Sequence, residues 1–167
     1  MASHQQISHP IRPIYDAQSQ ILILGSFPSQ KSREQMFFYG HPQNRFWRVL
    51  AAVYACAAPQ TVEEKRQFLL SHHIAVWDVI ASCEIVGSAD STIRRVVPND
   101  LTEILDAANI QTIYVNGKTA ARYYDQYIRP RIGREAVCLP STSPANAAWS
   151  ADRLVDAWRV IADRKTG

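Results

Sequence analysis

Short apolar runs recur along the chain, separated by stretches with helical spacing. Ile21–Leu24 is four consecutive apolar residues, and a run this short without alternation predicts a strand buried on both faces. Ile74–Val79, Thr112–Val115 and Ala136–Leu139 are the other strand candidates. A helix is expected from about Asn44 to Ala57, where Phe46, Trp47, Leu50, Val53 and Tyr54 form one apolar stripe. Asn44 then sits at or near its N-cap, and Pro59 ends it. Thr61 with Glu64 makes a capping box for a second helix, closed by His72-His73, where imidazolium would complement the helix dipole. Asp100 with Glu103 starts another, carrying Leu101, Ile104, Leu105 and Ala108. One with Ala120, Tyr124, Tyr127 and Ile128 follows Asn116-Gly117 and is expected to stop before Pro130. The last begins between Ser143 and Ser150, with Leu154, Val155, Trp158 and Ile161 as its apolar face.

The polar segments complete the outline. Gln30–Gln35 reads as a turn. Ala81–Asp100, with Gly87 and Pro98, reads as a long irregular loop, a kind that is usually functional or mobile. Met1–Ser19, with Pro10 and Pro13, reads as a loosely attached arm, leaving 20–167 as a single domain. Strands alternating with helices predict an α/β fold: three α/β/α layers around a central, mainly parallel four-stranded sheet. Right-handed crossovers then gather Gly25–Ser29, the loop after Val79, Asn116 and Pro140–Asn146 at one sheet edge. Ligands bind at such an edge.

Composition narrows the classes without naming one. With 167 residues, a real core is possible without disulfide staples. No apolar run approaches the roughly 20 residues of a membrane span, and the polar N-terminus lacks a secretory signal's hydrophobic centre. A cytoplasmic location is the default expectation. Cys56, Cys83 and Cys138 are isolated and read as reduced, partly buried thiols. Neither they nor the histidines have metal-ligand spacing, so no metal or other cofactor is expected. The formal net charge of +3 permits nucleic-acid binding without requiring it. Lys31, Arg33, Arg45 and Arg48 flank the first strand's loop, although each taken singly suits ordinary solvated surface.

The candidate chemistry lies in Ile21–Trp47, ILILGSFPSQKSREQMFFYGHPQNRFW. Flat rings, an amide and basic residues with one carboxylate suit a planar nitrogenous base beside phosphates. Phe27 or Phe38 would wall such a base, or simply pack the core. Backbone N–H groups of Gly25–Ser29 would donate to a base carbonyl. A phosphate loop is the competing reading, but the glycines and lysine of a nucleotide cradle are missing. Asn44 is either an N-cap or a catalytic amide whose oxygen accepts from a water while its nitrogen donates elsewhere. Asn116 either reads a base edge or makes a strand-end turn with Gly117. Asp78 and Asp90 are possible acids, better explained by turns and caps.

GSFPS, YGHPQNRFW, VNGKTA and LPSTSPAN, in that order, resemble the uracil-DNA glycosylase superfamily over most of the chain. WDV at Trp77 to Val79 and GSADS at Gly87 to Ser91 resemble its hypoxanthine-DNA glycosylase branch. The resemblance implies a monomeric, cofactor-free enzyme acting on DNA that contains deaminated bases, hydrolysing the glycosidic bond without strand cleavage. Asn44 would be catalytic, with Gly25, Ser26, Phe27, Tyr39 and Asn116 binding the base and Tyr39 stacking on it. Phe27 stands where the mismatch-specific branch has its water-positioning Asn, which counts against uracil excision by that arrangement. Leu139 replaces the polar residue that begins the second motif in several branches. Ser141, Thr142 and Ser143 would contact phosphates, and Pro144 or Ala145 would wedge the stack; Ser143-Pro144 also fits an N-cap and N1 pair. Lys31, Arg45 and Asn146 complete the expected DNA contacts. A uracil or mixed-base glycosylase, a non-catalytic damage-binding module and a metal-dependent nucleotide or phosphate-ester hydrolase are the rival expectations.

Overall fold

Ile21, Leu22, Ile23 and Leu24 are all fully buried because helices cover both faces of the strand they form. A computed structural model describes residues 3–163, so positions 1, 2 and 164–167 of the ranges above lie outside the described residues. Strand β2 (Ile21–Gly25) pairs in parallel with β3 (Ile74–Asp78) on one side and β6 (Thr112–Asn116) on the other. Beyond β6 lies β7 (Val137–Leu139), giving the order β3-β2-β6-β7. Ile21 and Ile23 point into one core with α2 (Phe46–Val53), α3 (Val62–Ser71) and α7 (Ala151–Trp158). Leu22 and Leu24 point the other way, toward α4 (Thr102–Ala107) and α5 (Lys118–Tyr123). This is the expected parallel sheet between helical layers.

The N-terminal segment departs from expectation. Strand β1 (Gln5–Ser8) pairs antiparallel with β4 (Ile80–Ile85), which pairs with β5 (Arg94–Pro98) in a second sheet. Ile14 bridges to Val76, and Ile11 and Ile14 are buried. Pro10 and Pro13 interrupt regular structure only locally, leaving Gln5–Ser8 free to pair. Residues 81–100 are likewise no open loop: β4 starts one residue after β3, and β5 returns along it. Register shifts between Ile80 and Glu84 break the two-residue alternation that would have revealed this hairpin.

Several boundaries also move. Gln30–Gln35 forms a short helix, α1, because the Ser29 side chain accepts from Ser32 N–H. The helix expected to stop before Pro130 continues. A π-helical turn over Tyr124–Ile128 leads into α6 (Arg129–Ile132), which carries Pro130 in its first turn, where no N–H is needed. The last helix is capped by Ser150, whose hydroxyl accepts from Arg153 N–H, so Ser143-Pro144 starts no helix; the Ser143 hydroxyl accepts from Ala145 N–H within a turn. The Thr61/Glu64 capping box is present as expected.

Candidate active site

The strand order reverses direction between β2 and β6, and a cavity of about 540 Å³ opens where their carboxyl ends emerge. Gly25, Asp78 and Asn116 end three neighbouring strands on its floor. Its walls come from the Ser26–Ser29 turn, Phe38, Tyr39, Asn44, the Ser88–Ser91 loop and Ser141–Ala145. Two Pro-Ser segments far apart in sequence thus share one mouth.

The two asparagines meet through a threonine. Thr142 is fully buried, and its hydroxyl donates to Asn44 Oδ1 at 2.9 Å while accepting from Asn116 Nδ2 at 3.0 Å. Its own N–H donates to Asn116 Oδ1 at 3.1 Å. Asn44 Oδ1 also accepts from Phe46 N–H at 3.0 Å. A backbone N–H can only donate, so the orientation of the Asn44 amide is fixed. Both lone pairs of Oδ1 are used, and the Nδ2 hydrogens are what Asn44 offers the cavity. The expectation that its oxygen would accept from a water is therefore corrected, as is the placement of Thr142 on a phosphate. Arg45, not Asn44, is the residue at the N-cap of α2, so the helix-start and cavity readings of Asn44 both contain part of the truth.

Tyr39 stacks on Phe46, with ring centroids 3.8 Å apart and planes 17° from parallel. It adopts φ 52°, a left-handed conformation costly for a side-chain-bearing residue, and Trp47 Nε1 donates to its carbonyl at 3.2 Å. Its hydroxyl is buried and, among the described residues, meets no group within hydrogen-bond geometry. Burial, then the nearby Asp78 carboxylate, pushes this phenol far above its usual pKa, while the Asn116 side chain pulls the other way. A methyl group on Gly25 would lie 2.4 Å from Asp78 Oδ1 and 3.0 Å from the Tyr39 hydroxyl. Only glycine lets both groups approach the end of the strand.

The acids set aside in the sequence lie in the cavity wall. Asp78 is buried and bonded through Oδ2 to His9 Nε2 at 2.8 Å. Asp90 accepts from Ser26 Oγ at 3.2 and 3.3 Å. Although solvent still reaches Asp90, the surrounding walls displace enough water to raise its pKa; Ser26 opposes the shift, Asp78 adds to it, and Arg122 opposes it. His9 was not legible as a site residue, because its partner lies 69 residues away.

Known proteins supply the family. The profile of the uracil DNA glycosylase superfamily matches residues 12–163. The chain belongs to this superfamily. A hypoxanthine DNA glycosylase of Methanosarcina acetivorans is 33% identical over 150 residues, covering 89% of this chain and 93% of the relative. One from Methanosarcina barkeri is 32% identical over 136 residues, covering 80% and 85%. A solution NMR structure of a candidate uracil DNA glycosylase from M. acetivorans superposes with a TM-score of 0.77 at 29% identity, over 94% of this chain and 99% of that one.

In this superfamily member, the remaining expected contacts divide into exposed and internal. Pro144 and Ala145 stand exposed at the cavity lip, with Ser143 half-buried beside them. Lys31 lies outside the cavity, on exposed α1, beside Glu34. Arg45 is turned inward: its guanidinium donates to the carbonyls of Trp149, Ser143 and Asn146. Asn146 Nδ2 donates to the Ser141 carbonyl at 3.0 Å. These two residues hold the lip loop together, so neither has its side chain free for a phosphate. Gly117, at φ 98°, lets Ser141 approach to within 2.9 Å of where a side chain would begin.

Proposed function

We propose that the protein is a monofunctional DNA glycosylase that removes hypoxanthine from deaminated adenine, leaving an abasic site and the free base. The observation that carries the reading is the cavity at the β2/β6 switch point, which holds Asn44, Asn116 and Tyr39 together in a chain of this family. The names of the Methanosarcina relatives favour hypoxanthine as the base. A base in duplex DNA must leave the stack to be reached. The cavity has room for one, with the Tyr39 ring backed by Phe46 as a stacking surface and Pro144 with Ala145 at the lip to fill the gap.

Breaking the glycosidic bond leaves positive charge on the sugar and negative charge on the departing base. Preoriented donors near the base favour that separation over the ground state. Asn44 holds the attacking water through its Nδ2 hydrogens, leaving a water lone pair for the anomeric carbon. No strong base is needed, because the water becomes acidic once it has bonded to that carbon. Among the described residues no lysine lines the cavity, and direct hydrolysis without a Schiff base is the route proposed.

Uracil is the second reading, favoured by the description of the NMR neighbour. Labelled duplexes containing inosine or uracil, incubated with protein and then treated with hot alkali, separate the two. Scission at inosine is expected, and scission at uracil alone would overturn the hypoxanthine assignment. Asn44→Ala is expected to slow excision by at least ~10²-fold through lost positioning, with affinity for DNA changed far less. A non-catalytic binding module would show no excision to lose. EDTA is expected to leave the rate unchanged, whereas a metal-dependent hydrolase would stop.

A further inference from the structure

We propose that His9 and Asp78 form an acceptor filter that separates deaminated bases from their parents, adenine and cytosine, by the ring N–H that deamination creates. The proposal rests on the glycosylase reading above and assigns its base selection to a pair joining the N-terminal segment to the end of β3.

His9 Nδ1 accepts from Ile11 N–H at 3.2 Å. That nitrogen therefore carries no proton, and the proton of the neutral ring sits on Nε2, where it donates to Asp78 Oδ2 at 2.8 Å. The ring is held by aromatic neighbours as well, edge-on to Phe27 and Trp77. Asn99 Nδ2 donates to the Asp78 carbonyl at 2.8 Å, which fixes the main chain of the same residue. With Oδ2 occupied, Oδ1 faces the Gly25 end of the cavity floor. No group among the described residues donates to it. An acceptor held so firmly and left empty beside a cavity calls for a donor from whatever binds there.

Adenine and cytosine present a bare ring nitrogen between their amino group and the next ring atom. Deamination puts a hydrogen on that nitrogen, N1–H in hypoxanthine and N3–H in uracil. A fixed carboxylate oxygen bonds the deaminated forms and repels the lone pair of the parent bases. A site built around one such bond rejects the partner lacking it far more strongly than shape alone can. His9 is a positioning residue here: it touches no substrate, but keeps Oδ2 engaged and Oδ1 aimed.

Four variants test this by single-turnover excision from inosine duplexes, alongside binding to an abasic-site duplex and thermal melting. Asp78→Asn keeps the shape, and its oxygen takes the His9 proton, turning an N–H donor toward the base. We expect it to lower excision of hypoxanthine by ~10²-fold, the scale of a lost charged hydrogen bond plus a mispaired donor, with abasic-site binding within a few fold. His9→Ala should lower excision ~10-fold or more and His9→Gln, which can still donate, should recover most of it. The double variant His9→Ala/Asp78→Asn should be no slower than Asp78→Asn alone, because His9 acts only through Asp78. Asp78→Asn excising within threefold of the unaltered protein, or additive losses in the double variant, would overturn the filter while leaving the glycosylase reading intact. An unaltered protein that spares inosine would sink both.

Discussion

Thr142 is where the two asparagines of this site meet. Its hydroxyl is the only link between the Asn44 and Asn116 side chains in the hydrogen bonds described above, and it has no solvent to fall back on. Thr142→Val, equal in shape, should cost about 1–3 kcal/mol of stability for the bonds it orphans and slow excision ~10-fold, with Thr142→Ser restoring both; urea unfolding and single-turnover rates measure the two effects. The pH response of Asp90 can also be worked out at this scale. Its carboxyl binds a proton more readily in the folded than in the unfolded chain, so folding takes up a proton between the two pKa values and stability falls as pH rises through that window. Asp90→Asn should therefore raise Tm near pH 7 and give no gain near pH 3, where both states are already protonated. Asn44 and Asn116 were legible as candidates because each stands at a junction between element types. Their meeting was not, because it runs through a threonine 98 residues from one and 26 from the other.

At the scale of elements, local signals fared better than long-range ones. The Thr61/Glu64 box and the short apolar strands were readable because the causes lie within a few residues. The β1–β4–β5 sheet was not, because its strands are mostly polar on the exposed side and its ladder is bulged. The lip loop belongs to the same class: it has little regular structure and is held by the guanidinium of Arg45, which bonds three of its carbonyls. Sequence reading placed Arg45 on DNA because a cation beside an aromatic cluster looks the same whether it faces out or in. Arg45→Lys keeps the charge but cannot reproduce the fork. It should lose about 2 kcal/mol and weaken capture of damaged duplex, seen as a higher KM with kcat less affected. Thr61→Ala should cost about 1 kcal/mol in α3 and leave excision untouched, which separates loop effects from general loosening.

For the molecule as a whole, the sheet and its two cores make most of the interior inaccessible, and thiol chemistry reports this directly. Cys83 is buried, and burial pushes its pKa up to about 11. Cys56 and Cys138 are exposed, although partial burial raises the pKa of Cys138. An alkylating reagent at pH 8 should label Cys56 first, Cys138 more slowly and Cys83 only after denaturant is added; mass spectrometry of timed samples reads the order. Rapid labelling of Cys83 in the native protein would contradict the packing around β4. The antiparallel pairing of Gln5 with Ile85 has a further consequence for biosynthesis. Strand β1 must wait for its partner, which leaves the ribosome some eighty residues later. Until then β1 carries an unpaired edge, and a chain stalled before Ile85 has no way to close the second sheet.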